Sequence, residues 1–253
     1  MTKAYFRRLY RRTMDKAYAR ARGEISKAMN AGGAVLDCGA GSGFEYTMLR
    51  NALGTTEFEY QGIEWNAQFA ESARAQGLNV VRGDLNQPIP APDESQRCVF
   101  ALSVLEHLLN PCRFLSECQR VLEPEGTLVL LTPNISTYFT AALILAGRMP
   151  SSGPHPDSLQ LLQSEAPVQV SDIGTLQDVE SDTPVHRHLV VFSYLALTRY
   201  LRMIGFKNVR GHGFGLYPFP NFMQPVLERI DPYHCHQMVF VANKAGSADR
   251  LDQ

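Results

Sequence analysis

The chain has 253 residues, 45% of them hydrophobic, which fits one α/β domain with additions and leaves too little room for two full domains. Its five cysteines form no Cys-x-x-Cys pair, its first ten residues carry charges where a signal peptide is apolar, and no apolar run approaches the ~20 residues of a membrane span. We therefore expect a cytoplasmic protein with reduced thiols, whose formal net charge of −1 is unevenly distributed.

Residues 1–30 are predicted to form a basic amphipathic helical extension of a domain that spans residues 31–253. The extension holds nine Lys or Arg residues and two acidic residues, a net charge of +7, which leaves the rest of the chain at −8. Apolar residues from Phe6 to Ala28 recur there at intervals of three and four, opposite the arginines. Such a helix could cover a cleft of its own domain, which we prefer, or bind an anionic substrate, nucleic acid or a membrane surface.

A short apolar run from Ala34 leads into the glycine-rich stretch 37–43, and a helix is predicted from Phe44 to Leu53. This order of strand, tight turn and helix puts three glycines where φ must be positive and where the backbone must approach a ligand closely. The amides of the turn are expected to face that ligand. A dinucleotide fingerprint would need its third glycine at the position of Phe44, so the spacing disfavours a nicotinamide-dependent reductase.

The segment from Val35 to Gly43 resembles motif I of the class I S-adenosylmethionine (SAM)-dependent methyltransferases, in which this turn wraps the amino-acid and ribose parts of SAM. For this stretch alone, a glycine-rich loop that binds nothing is the alternative. The cofactor-binding residues implied by the resemblance are Asp37, Gly39, Ala40, Gly41 and Gly43.

A second strand, from Phe58 to Glu64, ends in an acid about twenty residues after the glycine turn, where α/β nucleoside-binding folds keep a carboxylate for ribose hydroxyls. The resemblance gives Glu64 that role. Trp65, the only tryptophan, either lines the adenine side of the cofactor or packs in the fold. Asn66 suits the N-cap of a helix over residues 67–76.

A third strand is predicted from Asn79 to Leu85 and contains Gly-Asp, which resembles the family motif whose acid accepts a hydrogen bond from the adenine amino group. Asp84 takes that role, with Leu85 beside it. The next strand, over residues 98–102, is followed by Ser-Val-Leu-Glu-His-Leu from Ser103, which closely resembles a segment of the ubiquinone/menaquinone-type small-molecule methyltransferases. The resemblance therefore adds Ser103 to the cofactor site.

The resemblance continues through a helix from Pro111 and a strand over residues 127–131, and covers residues 34–132 without a break. It implies an α/β, Rossmann-like sheet of seven mostly parallel strands in the order 3-2-1-4-5-7-6, with the last strand antiparallel, helices on both faces and the site at the carboxyl ends of the strands.

Two insertions are expected beyond this segment. Residues 148–184, rich in Pro, Ser, Gly and Asp, follow an apolar helix over 135–147 and would form a mobile lid over the acceptor. Residues 211–231 form a second, aromatic loop, between a helix over 194–204 and a last strand over 238–242.

Methyl transfer from a sulfonium is an in-line displacement, so positioning dominates, and a hydroxyl acceptor also benefits from a base. His107, His186 and His188 are the candidate catalytic residues because neutral imidazole is available near pH 7, although each could be structural. No metal site is expected. Neither His186-x-His188 nor His234-x-His236 has a carboxylate or cysteine at a recognisable ligand interval.

The expected function is SAM-dependent methylation of a small-molecule or amphiphilic acceptor, at oxygen, because the motifs most resemble quinone- and sugar-type O-methyltransferases. Clustered Arg7, Arg8, Arg11 and Arg12 would suit a phosphate or carboxylate on a lipid-linked or nucleotide-linked sugar, and no nucleic acid is expected. Peripheral membrane contact through residues 1–30 ranks second, and no feature indicates an oligomeric state. The alternatives are a non-catalytic SAM-binding or regulatory protein on the same fold and, less favoured, the reductase.

Overall fold

The computed structural model describes residues 3–165 and 187–246 of the chain. Within these residues, seven strands form one sheet in the order β3-β2-β1-β4-β5-β7-β6. The strands are β1 (Gly33–Cys38), β2 (Phe58–Glu64), β3 (Val80–Arg82), β4 (Gln96–Leu102), β5 (Leu122–Pro133), β6 (Phe206–Phe214) and β7 (Gln237–Lys244). Strand β7 runs antiparallel to both β5 and β6, and the other pairs are parallel. The predicted fold class and strand order are therefore confirmed.

Helices cover both faces of this sheet. They are α1 (Lys3–Ala28), α2 (Phe44–Leu53), α3 (Ala67–Ala75), α4 (Pro111–Val121), α5 (Tyr138–Leu145), α6 (Leu159–Glu165), α7 (Tyr194–Met203) and α8 (Gln224–Ile230). Helices α4 and α7 pack on one face, and α1 and α2 pack on the other. Strands β4, β5 and β7 are buried along almost their whole length, as expected for a sheet covered on both sides. No helix in residues 3–165 and 187–246 is both long and apolar enough to cross a membrane.

Helix α1 lies directly on the sheet. Ala17, Ala21 and Ile25 are buried against strands of the central sheet and against α2. Small side chains let the helix backbone come close to the strands. Most of its charged side chains stay outside, and the buried Glu24 pairs with Arg20 and Lys27. In the first half of the helix, Leu9 and Thr13 are buried while the predicted stripe residues around them are only half-buried, so the inward face is rotated slightly from the prediction.

The prediction of a loop over residues 211–231 is wrong at the start of this range and near its end. Strand β6 continues to Phe214, and α8 occupies Gln224–Ile230. A Cβ at Gly211 would lie 2.5 Å from the Tyr194 ring, and one at Gly213 would lie 2.8 Å from Cys235, so these glycines permit close packing inside a strand. Sequence alone had assigned them to a turn. Helix α5 and strand β3 are also shorter than predicted.

The predicted insertion over 148–184 is described up to residue 165 and contains α6. Its remaining residues, 166–184, lie outside the described part of the chain, as does His186.

Candidate active site

The glycine turn joins β1 to α2, and its three glycines have φ of 95° (Gly39), 53° (Gly41) and 91° (Gly43). A Cβ on Gly39 would collide with Val104, and one on Gly43 would collide with Leu78. Gly41 differs from both, since no described atom lies within 4 Å of the position its Cβ would take. The turn is therefore packed on its inner side and open at Gly41.

Most amides of this turn close it onto β2. The N–H groups of Gly39 and Ala40 donate to the Ile63 carbonyl, at 2.8 and 3.1 Å, and Gly41 N–H donates to Glu64 Oε2 at 2.8 Å. The prediction that the turn's amides face a ligand is wrong for these three, because they already have partners within the protein. A ligand at this turn would therefore meet the open surface at Gly41 and not a row of hydrogen-bond donors.

Glu64 connects two loops at the end of β2. Its Oε1 accepts a hydrogen bond from Asn66 N–H at 2.7 Å, while its Oε2 holds Gly41. Each carboxylate oxygen has two acceptor sites, so the ribose hydroxyls of a nucleoside can still donate to Glu64. The carboxylate of Glu64 therefore lies against the glycine turn, as predicted for a site that binds a nucleoside.

A cavity of about 290 Å³ opens beside the turn. This volume is close to the lower end of the range for small-molecule pockets. The lining residues come from several elements and are Tyr18, Asp37, Gly39, Ala40, Gly41, Ser42, Phe44, Glu45, Phe69 and Leu102. Phe44 and Phe69 are exposed, so they offer apolar surface to a ligand instead of packing in the core.

Asp37 lies at the inner wall of this cavity and is 2% exposed. The hydroxyl of Tyr60 donates to Asp37 Oδ2 at 2.7 Å. Burial raises the pKa of Asp37 to about 8, and the Tyr60 hydrogen bond only partly offsets this effect. A cationic ligand group beside Asp37 would favour its ionised form.

The third predicted acid, Asp84, stands at the neighbouring strand end. Gly83 N–H donates to the Glu64 carbonyl at 3.0 Å, which brings the two acids to adjacent positions along the sheet edge. Asp84 Oδ1 accepts hydrogen bonds of 2.9 Å from both the backbone and the side chain of Asn86. The side chain of Leu85 is buried in the core, so only its backbone can face a ligand.

Two other predicted cofactor residues occupy different surroundings. Trp65 is 67% exposed, which excludes the packed alternative and leaves its ring beside Glu64 in solvent. Ser103 has a φ of 57°, and its Oγ accepts a hydrogen bond of 3.3 Å from the Tyr18 hydroxyl. A positive φ is uncommon outside glycine, and here it occurs where the chain leaves β4, beside Tyr18 of helix α1.

Helix α1 reaches the cavity through two residues that the sequence did not single out. Tyr18 lines the cavity, and Arg22 makes a two-pronged ion pair with Glu45, at 2.7 and 2.8 Å. The Arg22 guanidinium also lies over the rings of Tyr18 and Phe44, at 5.1 and 5.3 Å. These contacts agree with the expectation that α1 covers the cleft. In the sequence, only the charge pattern of α1 pointed to them.

A second group of functional side chains follows β4, on the 3₁₀ turn Leu105–His107. Glu106 is buried, and Thr132 Oγ1 donates to its Oε2 at 3.0 Å. The backbone carbonyl of Glu106 accepts the N–H of Leu189 at 2.7 Å, which fastens the chain around His188 to this turn. The rings of His107 and His188 thereby meet with centroids 5.2 Å apart.

His155, from the predicted insertion, completes this histidine cluster. Its ring stacks on His188 at 4.7 Å, and its backbone N–H donates to the His188 carbonyl at 2.8 Å. No spacing in the sequence predicted this contact, because it depends on how the segment after α5 folds back. Two of the three candidate catalytic histidines thus lie together, and the third, His186, is outside the described residues.

Burial shifts the titration of this cluster. It lowers the pKa of His188 to about 4, with nearby Glu106 acting in the opposite direction, and it lowers the pKa of His107. The pKa of Glu106 is raised by the same desolvation. His188 and His107 are therefore neutral near pH 7, and His188 is a weak proton acceptor there.

The fold is one found in SAM-dependent methyltransferases, and the geometry of the site fits their cofactor, SAM. The open surface at Gly41, the carboxylate of Glu64 and the exposed aromatic rings fit a nucleoside with an amino-acid arm. Residues 36–130 match the model of a family described as a methyltransferase domain.

The chain is similar in sequence to part of known relatives and similar in fold to solved structures. A probable S-adenosylmethionine-dependent methyltransferase of Mycolicibacterium smegmatis is 31% identical over 110 residues, which are 43% of this chain and 41% of that protein. The chain thus aligns with less than half the length of that relative. A SAM-dependent methyltransferase from Archaeoglobus fulgidus has a TM-score of 0.55 at 20% identity, covering 91% of this chain and 94% of that one. A structure described as the [4+2]-cyclase SpnF has a TM-score of 0.57 at 15% identity, over 90% and 82%.

Proposed function

We propose that this protein transfers the methyl group of SAM to an oxygen atom of a small-molecule or amphiphilic acceptor. The observation that carries the proposal is the meeting of Gly41, Glu64 and the cavity at one edge of the sheet: Gly41 borders the cavity and donates to Glu64. The motif resemblance to ubiquinone/menaquinone-type methyltransferases supports oxygen as the accepting atom. All five cysteines are free thiols, which supports a cytoplasmic location.

Bound SAM supplies an electrophilic methyl group, whose carbon–sulfur bond breaks as the bond to the acceptor oxygen forms, the sulfur keeping the electron pair and the hydroxyl proton leaving to a base. The residues of this chain position the cofactor and the acceptor. Glu64 would accept hydrogen bonds from the ribose hydroxyls, Asp37 would face the cationic arm, and Tyr18 and Phe44 would exclude water from the cavity. A neutral imidazole in the histidine cluster can take the acceptor's proton.

The position of the described part of the predicted insertion favours a small acceptor. His188 Nδ1 donates to the Ser152 carbonyl at 2.6 Å, and His155 stacks on the same ring. Residues of the predicted insertion therefore pack on His188, whose ring in turn meets His107 after β4. Such a cover suits a small molecule or the head of an amphiphile better than a nucleic-acid strand.

Helix α1 supplies the charge for an anionic acceptor. Arg7, Arg8, Arg11 and Arg12 are all exposed near its start, and guanidinium groups bind phosphate and carboxylate in two-pronged geometry. We propose that they contact a phosphate or carboxylate on a lipid-linked or nucleotide-linked sugar. Peripheral membrane contact through the same arginines is the second use we propose for residues 1–30.

One observation favours a second candidate function. The likeness to the [4+2]-cyclase is as close in fold as the likeness to the methyltransferase from A. fulgidus. The fold alone therefore does not define the activity, and a non-catalytic SAM-binding or regulatory protein on the same fold is the alternative. It predicts SAM binding with no turnover.

The deciding experiment uses SAM labelled in its methyl group, incubated with the purified full-length protein and cell extract separated into lipid, small-molecule, protein and RNA pools. We expect label in the lipid or small-molecule pool and release of S-adenosylhomocysteine. Label that enters only protein or RNA would contradict the acceptor proposed here. SAM binding by calorimetry without transfer to any pool would favour the non-catalytic alternative.

A further inference from the structure

The geometry points to a divalent metal site formed by Glu106, His107 and His188, which holds an oxygen of the methyl acceptor. The last clause rests on the proposed function, whereas the metal site itself does not. One carboxylate oxygen and one ring nitrogen from each histidine lie within 4.8 Å of one another. Two imidazoles and one carboxylate are a donor set found for catalytic Zn²⁺ and for other first-row divalent ions.

The hydrogen bonds of the two histidines select the nitrogen that can bind a metal. His107 Nδ1 lies 3.1 Å from the Arg187 carbonyl, and His188 Nδ1 lies 2.6 Å from the Ser152 carbonyl. A carbonyl oxygen only accepts, so both Nδ1 atoms carry the proton and both Nε2 atoms keep a lone pair. Histidine ligands in metalloproteins are commonly held by this backbone contact.

The carboxylate is oriented in the same way. Thr132 Oγ1 donates to Glu106 Oε2, and Glu106 Oε1 lies 4.0 Å from His107 Nε2. Within residues 3–165 and 187–246, no Lys or Arg forms an ion pair with Glu106, although it is 2% exposed. A buried carboxylate without a cationic partner is costly, and a divalent ion would offset that cost.

The distances allow a shared ion after a small adjustment. Ligand atoms lie about 2.0–2.2 Å from Zn²⁺, so those around one ion are roughly 3–4 Å apart. Side-chain rotations that move atoms by about one ångström would bring the three together. His155 limits the freedom of His188, because its Nδ1 accepts the His188 N–H at 3.3 Å and its ring stacks on the same imidazole. His155 is thus a positioning residue.

An acceptor oxygen would complete the coordination. Three protein ligands leave a fourth position open on a tetrahedral ion, and a metal-bound hydroxyl loses its proton more readily than a free one. With both Nε2 atoms on the ion, that proton would leave to water, and the ion would replace the imidazole base of the metal-free site. The site follows β4, three residues after Ser103, whose Oγ contacts the cavity residue Tyr18. It therefore lies next to the proposed cofactor cavity.

This inference departs from the expectation of no metal site. That expectation used the spacing around His186-x-His188 and His234-x-His236, where no carboxylate follows at a ligand interval. The structure brings the carboxylate from the end of β4 instead. Spacing along the chain could not reveal a ligand contributed by another strand.

The test titrates metal-depleted, full-length protein with Co²⁺, followed by visible absorption, and with Zn²⁺ by calorimetry. We expect one ion per chain, and an affinity at least tenfold lower in His188→Ala and in Glu106→Gln. His234→Ala is the matched control, since it removes a histidine whose partner is Asp231, and its affinity should equal that of the wild type. No binding by the wild type, or an equal loss in His188→Ala and His234→Ala, overturns the proposal.

Two further measurements distinguish a failure of the metal site from a failure of the proposed function. Circular dichroism of each variant shows whether it folds. Ion binding by a wild-type protein that neither binds SAM nor transfers its methyl group would leave the metal site standing while the proposed function fails. If the variants do not fold, pulsed electron paramagnetic resonance of the Cu²⁺-loaded wild type replaces them. Two coordinated imidazoles support the site, and a spectrum without imidazole nitrogen overturns it.

Discussion

Glu64 illustrates how one side chain serves both the fold and the ligand. Its two oxygens hold Gly41 and Asn66, and the same carboxylate is the proposed acceptor for ribose hydroxyls. We expect Glu64→Ala to weaken SAM binding roughly tenfold to a hundredfold, which corresponds to ~1.5–3 kcal/mol for hydrogen bonds to a charged group. Calorimetric titration with SAM measures this loss. Glu59→Ala, an exposed glutamate on the same strand, is the control, and equal affinities in both variants would contradict the ribose assignment.

At the scale of elements, α1 packs as part of the domain. Ala21 is fully buried against the sheet, while Ala19 on the same helix is exposed. We expect Ala21→Leu to lower the free energy of unfolding by ~1–3 kcal/mol, because extra methylene groups have no space between helix and strands. Ala19→Leu should change it by less than ~0.5 kcal/mol. Urea unfolding of both variants measures the difference, and equal values would mean that α1 does not pack as described.

The same packing changes how the arginines of α1 should be tested. Deleting residues 1–30 would expose the core that Ala17 and Ile25 cover, so a loss of activity would not identify the acceptor contact. Replacing only the four exposed arginines with glutamine leaves the buried face intact.

Elements whose pattern is local were predictable, and those set by distant packing were not. The bounds of α2 and β2 agree with the sequence prediction, because a glycine turn and a terminal acid mark them locally. Strand β6 extends through Gly211 and Gly213, where a Cβ would come too close to Tyr194 and Cys235 respectively. The histidine cluster likewise depends on His155 reaching a ring that follows in the chain only after α6.

For the molecule as a whole, the buried acid Asp37 makes stability depend on pH. Its pKa of about 8 in the folded state lies above the ordinary value of 3.8, so the folded state binds more protons between these values. The contribution of Asp37 to stability is therefore greatest at low pH and is lost as the pH rises towards 8. Asp37→Asn removes this loss and retains an acceptor for the Tyr60 hydroxyl.

We expect the stability of Asp37→Asn, relative to the wild type, to increase from pH 5 to pH 8 by on the order of 3 kcal/mol. Taking the difference between the two proteins cancels other titrating groups. Urea midpoints at several pH values provide the measurement, with Asp15→Asn, at an exposed aspartate, as the matched control. A difference for Asp37→Asn that does not change with pH would mean that Asp37 is ionised in the folded protein.

Trp65 gives the molecule a built-in optical reporter. It is the chain's only tryptophan, it is largely exposed, and it directly follows Glu64. Its emission therefore originates from one known position, at the rim where a nucleoside would arrive and displace water from the indole. Cofactor binding and release can be timed from this signal in unlabelled protein, without a dye that would itself occupy the rim.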